Sequence, residues 1–337
     1  MDLKNNLRTE TGWEIIEKSF DPDQLVTTGS NFMIGNGYLG YRGTFENWGP
    51  EQFVACVVTD TWDQAQGSRW SELCNVPNGL FAELTLDGET CSLFSGILKE
   101  YEHTLDLRHG INTRKIRWKG SHGKGLELES KKFASKTNPH LLVQQLRIRA
   151  LDEGVLALKT GIQGEVWSLN GEHFSSLEAA TLENGLIGLS LETGELGTEV
   201  AVVEGVRLHG KPLCDSSGEV SDRSIYRHLQ LELGEGEEIV IEKVVGITHS
   251  NQVASPLKTA RDEVKEAREK GFNSLLQDHK AQWDAFWELS DIKIEGNTEA
   301  QVLARFNLYQ AYIATPTHAN LPVGARGLSC QVYQGAA

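Results

Sequence analysis

Four acids, Glu46, Asp60, Asp63 and Glu72, fall in one stretch that also carries Trp48, Trp62 and Trp70. Carboxylates can hold or move protons, and indole faces stack against apolar ring faces such as those of sugars. Trp48, Asp60, Trp62, Asp63 and Trp70 are therefore the candidate sugar-contact group. The competing reading is that the tryptophans fill a core and the acids are solvated. Other chemistry is weakly indicated. His103 and His109 flank a strand-like stretch without partners at metal-ligand spacing, which predicts hydrogen-bonded histidines and no metal. There is no Gly-x-Ser-x-Gly elbow and no P-loop. The string Gly35-x-Gly37-x-x-Gly40 has the form of a dinucleotide fingerprint but lacks a surrounding βαβ unit, so a nucleotide role is not expected.

The elements that must position these residues change character once along the chain. Up to about residue 250 the pattern is short strands between Gly, Asn and Asp turns: Phe53–Thr59, Leu80–Leu86, Ile111–Trp118, Leu126–Phe133, Leu141–Arg149, Val155–Thr160, Glu199–Val203 and Glu238–Val245. This predicts a large antiparallel β-sandwich. Ser255-Pro256 then marks a helix start and Gly271 its end. A second helix over about 273–289 places Leu276, His279, Trp283 and Phe286 on one face. A short strand at Asp291–Glu295 and a capping box from Thr298 to Gln301 come next. The stripe Val302, Phe306, Tyr309, Ile313 then runs to Pro316 and needs an apolar partner.

Among 337 residues, 47 acids against 32 bases give a formal charge of −15. That disfavours nucleic acid and anionic membranes as partners. No apolar run reaches the length of a membrane span, and Met1–Arg8 lacks the apolar core of a signal peptide. Cys56, Cys74, Cys91, Cys214 and Cys330 are scattered and odd in number, which predicts free thiols in a reducing cytoplasm.

The string Asn31-Phe-Met-Ile-Gly-Asn-Gly-Tyr-Leu-Gly-Tyr-Arg-Gly43, followed by Glu46, resembles the N-terminal signature of glycoside hydrolase family 65. Gly35, Asn36, Gly37, Gly40, Arg42, Gly43 and Glu46 carry the likeness, and glycine at this density predicts positive φ or close approach by another segment. The resemblance implies a mainly β fold: a galactose-mutarotase-like super-sandwich over 1–252, a helical linker over 253–314, and over 315–337 only the start of the (α/α)₆ barrel that holds the family's active site. It also implies an inverting phosphorylase acting on an α-glucosyl disaccharide, with phosphate as co-substrate, no cofactor, and a homodimer at full length. No catalytic residue carries over, because the catalytic Glu would lie beyond residue 337, and the chain alone is expected to be inactive. Arg326, Gln331 and Tyr333 would stand next to the substrate at the barrel entrance, and the barrel would supply part of the cover for the Val302–Ile313 stripe. The alternatives are a non-catalytic carbohydrate-binding or dimerisation module, a fragment of a family 65 hydrolase, and a truncated product without function.

Overall fold

A computed structural model describes residues 7–210, 218–324 and 327–329. Every strand pairing among them is antiparallel. The mainly β architecture follows the alternating pattern of the first 250 residues. The largest sheet has ten strands, with Ile97–Asp106, Ile111–Lys119, Gly125–Ala134, Leu141–Ala150 and Glu238–His249 side by side at its centre. A five-stranded sheet includes Ser224–Leu233, Gly154–Ile162 and Ala82–Leu86. A four-stranded sheet contains Ile34–Gly35, Leu39–Tyr41, Cys56–Asp63 and Glu72–Asn75. One apolar core, from Leu105, Leu128 and Leu146 to Leu84, Leu158 and Val58, joins the three, and helix α1 (Leu25–Asn31) packs on it through Leu25.

The two faces of the large sheet differ because side chains alternate along each strand. Part of the outer face is apolar. Phe133, Val143, Val203 and Val244 pack there against helix α2 (Pro256–Lys270) through Ala260 and Val264, and against helix α3 (Phe272–Ser290) through Phe272 and Leu275. The rest is a charged checkerboard. Lys115 stands opposite Glu102 and Glu129, and Arg117 opposite Glu100 and Glu127. Opposite charges facing across strands stabilise the register, and the charge keeps an uncovered face in water.

Four sequence expectations need correction. Phe53 is not in a strand: it closes a 3₁₀ turn with φ +56°, and the strand begins at Cys56. Helix α3 buries Phe272, Leu275, His279, Trp283 and Trp287, so Leu276 and Phe286 lie on the flank of its buried face. Asp291–Glu295 forms no strand. The Gln301 side chain bonds the backbone of Ile292 and Ile294, and Asp291 is clamped by Arg305 at 2.8 and 2.9 Å, so side chains satisfy this segment instead of a neighbouring strand. Because Gln301 is used there, helix α4 (Thr298–Ala314) is capped by Asn297, whose side chain accepts from the Ala300 amide, rather than by a Thr298–Gln301 box.

Candidate functional site: a glycine-lined seat over buried charge clusters

The glycine-rich string folds as a hairpin. Gly35 pairs with Gly40, and the Asn36 carboxamide accepts the amides of Tyr38 and Leu39 across the turn. Gly37 takes φ +89°, a conformation that costs other residues. The second reason for glycine is contact. A Cβ on Gly37 would run into the Thr315 carbonyl, and one on Gly40 into the Leu328 carbonyl. The hairpin is thus a flat seat for the segment that leaves helix α4. Arg42 and Ser329 clasp it: Arg42 donates to the Ser329 carbonyl at 3.1 Å, while the Ser329 hydroxyl donates to Gly40 O at 2.5 Å and accepts the Val57 amide at 2.9 Å. The α4 stripe is used here too. Val302, Tyr309 and Ile313 are fully buried, and the Tyr309 hydroxyl bonds Met33 O at 2.9 Å. The cover expected in part from the barrel is supplied by the sandwich hairpin and by Trp283, which stacks on Tyr309.

Beneath the seat, Glu46 is completely buried. It accepts from Ser130 at 2.6 Å and Lys132 at 3.1 Å, with Arg114 at 3.6 Å. Lys132 and Arg114 also donate to Thr44 O, so they pin the end of the glycine string to the large sheet. Burial alone would raise the Glu46 carboxyl, but the charges of Lys132 and Arg114 outweigh it and hold it below the usual range. One carboxylate shared by two cations leaves each cation less compensated than the acid. Burial accordingly brings Lys132 down to about 8 despite its contact with Glu46. A second buried cluster joins the large and five-stranded sheets. Glu204 pairs with Arg227, and Lys243 donates to Phe81 O at 2.6 Å and Thr160 at 2.8 Å. Sequence pattern could not signal these groups, because an inward lysine on an alternating strand looks like any other lysine.

The acid and tryptophan group is divided. Trp48 is core, packed on Phe20, Phe45 and Phe94. Asp63 and Glu72 are buried around His173, at 3.1 and 2.7 Å from its two ring nitrogens. Asp60 is half-buried with φ +62°, Trp62 is half-buried, and Trp70 is 61% exposed. His173 escaped the sequence reading because its acids lie about a hundred positions upstream. Burial opposes its charge, yet hydrogen bonds to Glu72 and Asp63 win and raise its pKa. A raised folded pKa means that this stabilisation is complete below the unfolded value near 6.5 and is lost as pH rises through the folded one. His173→Gln is expected to cost about 1–3 kcal/mol at pH 6 and to flatten the stability profile above it. Urea midpoints between pH 6 and 9 test this; equal slopes in variant and parent would refute it.

His103 is fully buried, stacked on Phe32 at 3.9 Å and bonded to Asn112, and burial beside Arg114 keeps it neutral. His109 pairs with Asp106. Among the described residues no group of three His, Cys, Asp or Glu side chains is placed to hold a metal ion. Gly35, Gly37 and Gly40 lie in the antiparallel hairpin and open no βαβ unit. Cys56, Cys74 and Cys91 are free and buried, and burial raises their thiols. No described helix is long and apolar enough to cross a membrane. Arg326, Gln331 and Tyr333, like Cys214 and Cys330, lie outside the described residues.

The sequence model of "Glycosyl hydrolase family 65, N-terminal domain" matches residues 15–286. A 1,2-alpha-glucosylglycerol phosphorylase of Bacillus selenitireducens is 38% identical over 100% of this chain and 43% of its own length. A nigerose phosphorylase of Lachnoclostridium phytofermentans is 30% identical over 96% of this chain and 46% of its own length. A solved structure, a putative kojibiose phosphorylase from the human microbiome, superposes with a TM-score of 0.87 at 20% identity, covering 98% of this chain and 45% of that one. The chain therefore spans somewhat less than half the length of these relatives. The hairpin that carries the glycine string and the sheets it packs on fall within the matched span, so the chain belongs to glycosyl hydrolase family 65 and carries its N-terminal domain.

Proposed function

We propose that this chain is the N-terminal part of an inverting α-glucosyl phosphorylase, and that its task is to seat and orient the start of a catalytic (α/α)₆ barrel. On this reading 1–252 is the sandwich, 253–314 the linker, and 315–337 the entry to the barrel. The observation that carries it is the glycine seat: two backbone carbonyls of the segment after α4 rest where any Cβ would stand. A misplacement of about 1 Å in a supporting element can cost a hundredfold in rate, so such a seat suits a catalytic neighbour. The relatives named for glucosylglycerol, nigerose and kojibiose phosphorylysis favour an α-glucosyl donor and a sugar or polyol acceptor.

In that chemistry phosphate attacks the anomeric carbon opposite the leaving oxygen, while one carboxylic acid protonates that oxygen. A single displacement inverts the centre, unlike the two-step retaining route. Phosphate requires a cradle of cations or hydroxyls. The cations of the two buried clusters do not offer one: Lys132 and Arg114 are committed to Glu46, and Lys243 and Arg227 to Glu204. The acid and the phosphate site then belong to the barrel, with Arg326, Gln331 and Tyr333 proposed at its entrance. Within the acid and tryptophan group, Asp60, Trp62 and Trp70 are the members with surface for a sugar or for the barrel. Full-length protein is proposed to work as a homodimer in the reducing cytoplasm, without metal or organic cofactor.

The purified 337-residue chain is expected to release no glucose 1-phosphate from nigerose, kojibiose, maltose, trehalose or glucosylglycerol. A full-length protein continuing this chain is expected to form β-glucose 1-phosphate, read by NMR of the first product. An α-configured product, or equal turnover without phosphate, would overturn the phosphorylase reading.

A further inference from the structure

The ring of Tyr38, at the tip of the seat, is surrounded by three imidazoles from three elements. His249, at the end of the long strand Glu238–His249, stacks on it at 5.7 Å with planes 5° apart. His140, from the loop before Leu141–Ala150, meets it edge-on at 4.9 Å, and His318, from the segment after α4, at 5.1 Å. The Tyr38 hydroxyl donates to Ile247 O at 3.1 Å, and burial keeps this phenol neutral.

The cluster is poor in counter-charge. Glu263 of α2 is bound to His140 at 3.0 Å. Among the described residues His318 has one hydrogen-bond partner, the Thr59 hydroxyl at 3.4 Å, and its Nδ1 has none. His249 is fully buried and neither ring nitrogen has a hydrogen-bond partner. Lys136, held over the Tyr312 ring at 3.6 Å and bonded to Asn36 O, adds positive charge from the neighbouring loop. The remaining acid nearby is Asp60, on the strand beneath His318, and burial raises its carboxyl. Among the described residues, an imidazolium formed in this ring would find Glu263 already bound to His140 and Asp60 as the other nearby carboxylate, whose charge burial weakens toward acid.

We propose that this ring cluster is an acid-sensitive latch: the stretch after α4 that bears Thr315 and His318 rests on the hairpin at neutral pH and lifts when His249 and His318 take up protons. Burial, with His140 and His318 nearby, lowers His249 to about 4, and burial with His140 and Lys136 lowers His318. A histidine whose pKa falls on docking binds fewer protons docked than free. Docking is then complete above the free value of 6.5 and weakens as pH drops toward the docked value. For His249 alone, acting between 6.5 and about 4, the weakening at pH 5 is on the order of thirtyfold.

Hydroxyl-radical footprinting of the 337-residue chain at pH 7.5 and 5.0 tests the latch. Tyr38 is fully buried under His318, so its oxidation is expected to rise at least tenfold at pH 5.0 while that of the core residue Trp118 stays level. His318→Gln, which keeps a polar group near Thr59, and His249→Gln are each expected to reduce that rise. His318 is partly exposed, so its variant remains informative if His249→Gln fails to fold. Equal Tyr38 oxidation at both pH values, a rise matched by Trp118, or an unchanged rise in the His318 variant would overturn the proposal.

Discussion

Glu46→Gln is expected to destabilise the chain by about 3–5 kcal/mol, the usual cost of leaving a buried charge without its partner. The substitution keeps shape and hydrogen-bonding capacity but strands Lys132 and Arg114, both about 1% exposed, without a carboxylate. Adding Lys132→Met to the same variant is expected to recover part of the loss, because one buried charge then disappears with its partner. Urea denaturation of Glu46→Gln, of Lys132→Met alone and of the double variant at pH 7 closes the cycle. The acid limb should change too. The Glu46 carboxyl is held below its ordinary value of 4.5, so its stabilisation is complete above that value and is lost as pH falls through the folded one. A loss under about 1 kcal/mol in Glu46→Gln, the level of an exposed ion pair, would show that the pinning of the hairpin to the sheet is carried by the backbone bonds instead.

Gly37→Ala and Gly40→Ala should have their largest effect on the seat. At Gly40 the new methyl meets the Leu328 carbonyl, and at Gly37 the Thr315 carbonyl. A backbone atom cannot swing aside as a side-chain tip can, so the segment must lift. Overpacking costs about 1–3 kcal/mol, and at Gly37, with φ +89°, the left-handed backbone adds about 1–2 kcal/mol. Gly88 is the control, since it has φ +85° and nothing within 4 Å of a built Cβ, so Gly88→Ala carries the strain without the collision. Hydrogen exchange of the Val57 amide, which is bonded to the Ser329 hydroxyl, is expected to accelerate tenfold or more in the two seat variants and to stay near the parent rate in Gly88→Ala. If all three behave alike, the collision has no consequence and the seat is not what holds the segment. In a full-length protein, the proposed function adds a fall in turnover without loss of the fold.

Much of this architecture was legible in the amino-acid sequence because its causes are local. Alternation over Ile111–Trp118, Leu126–Phe133 and Leu141–Arg149 arises wherever one sheet face meets a core, and the strands run within two residues of those limits. Ser255-Pro256 and Gly271 bracket α2 because cap positions and fixed φ act within a turn. The density of glycine announced close approach, and the string with Glu46 pointed to the family. What approaches the glycines was not legible: Thr315 and Leu328 lie nearly three hundred positions away, and only tertiary packing joins them. The same holds for Glu46 with Lys132, for His173 between Asp63 and Glu72, and for the rings around Tyr38. Each side chain is unremarkable in its own window. Its charge state and partners come from burial and from neighbours on other elements, which short-range sequence patterns do not encode. Even the α4 stripe declared its need for an apolar partner by its spacing, whereas the identity of that partner, the sandwich's own hairpin, was decided by how the elements pack.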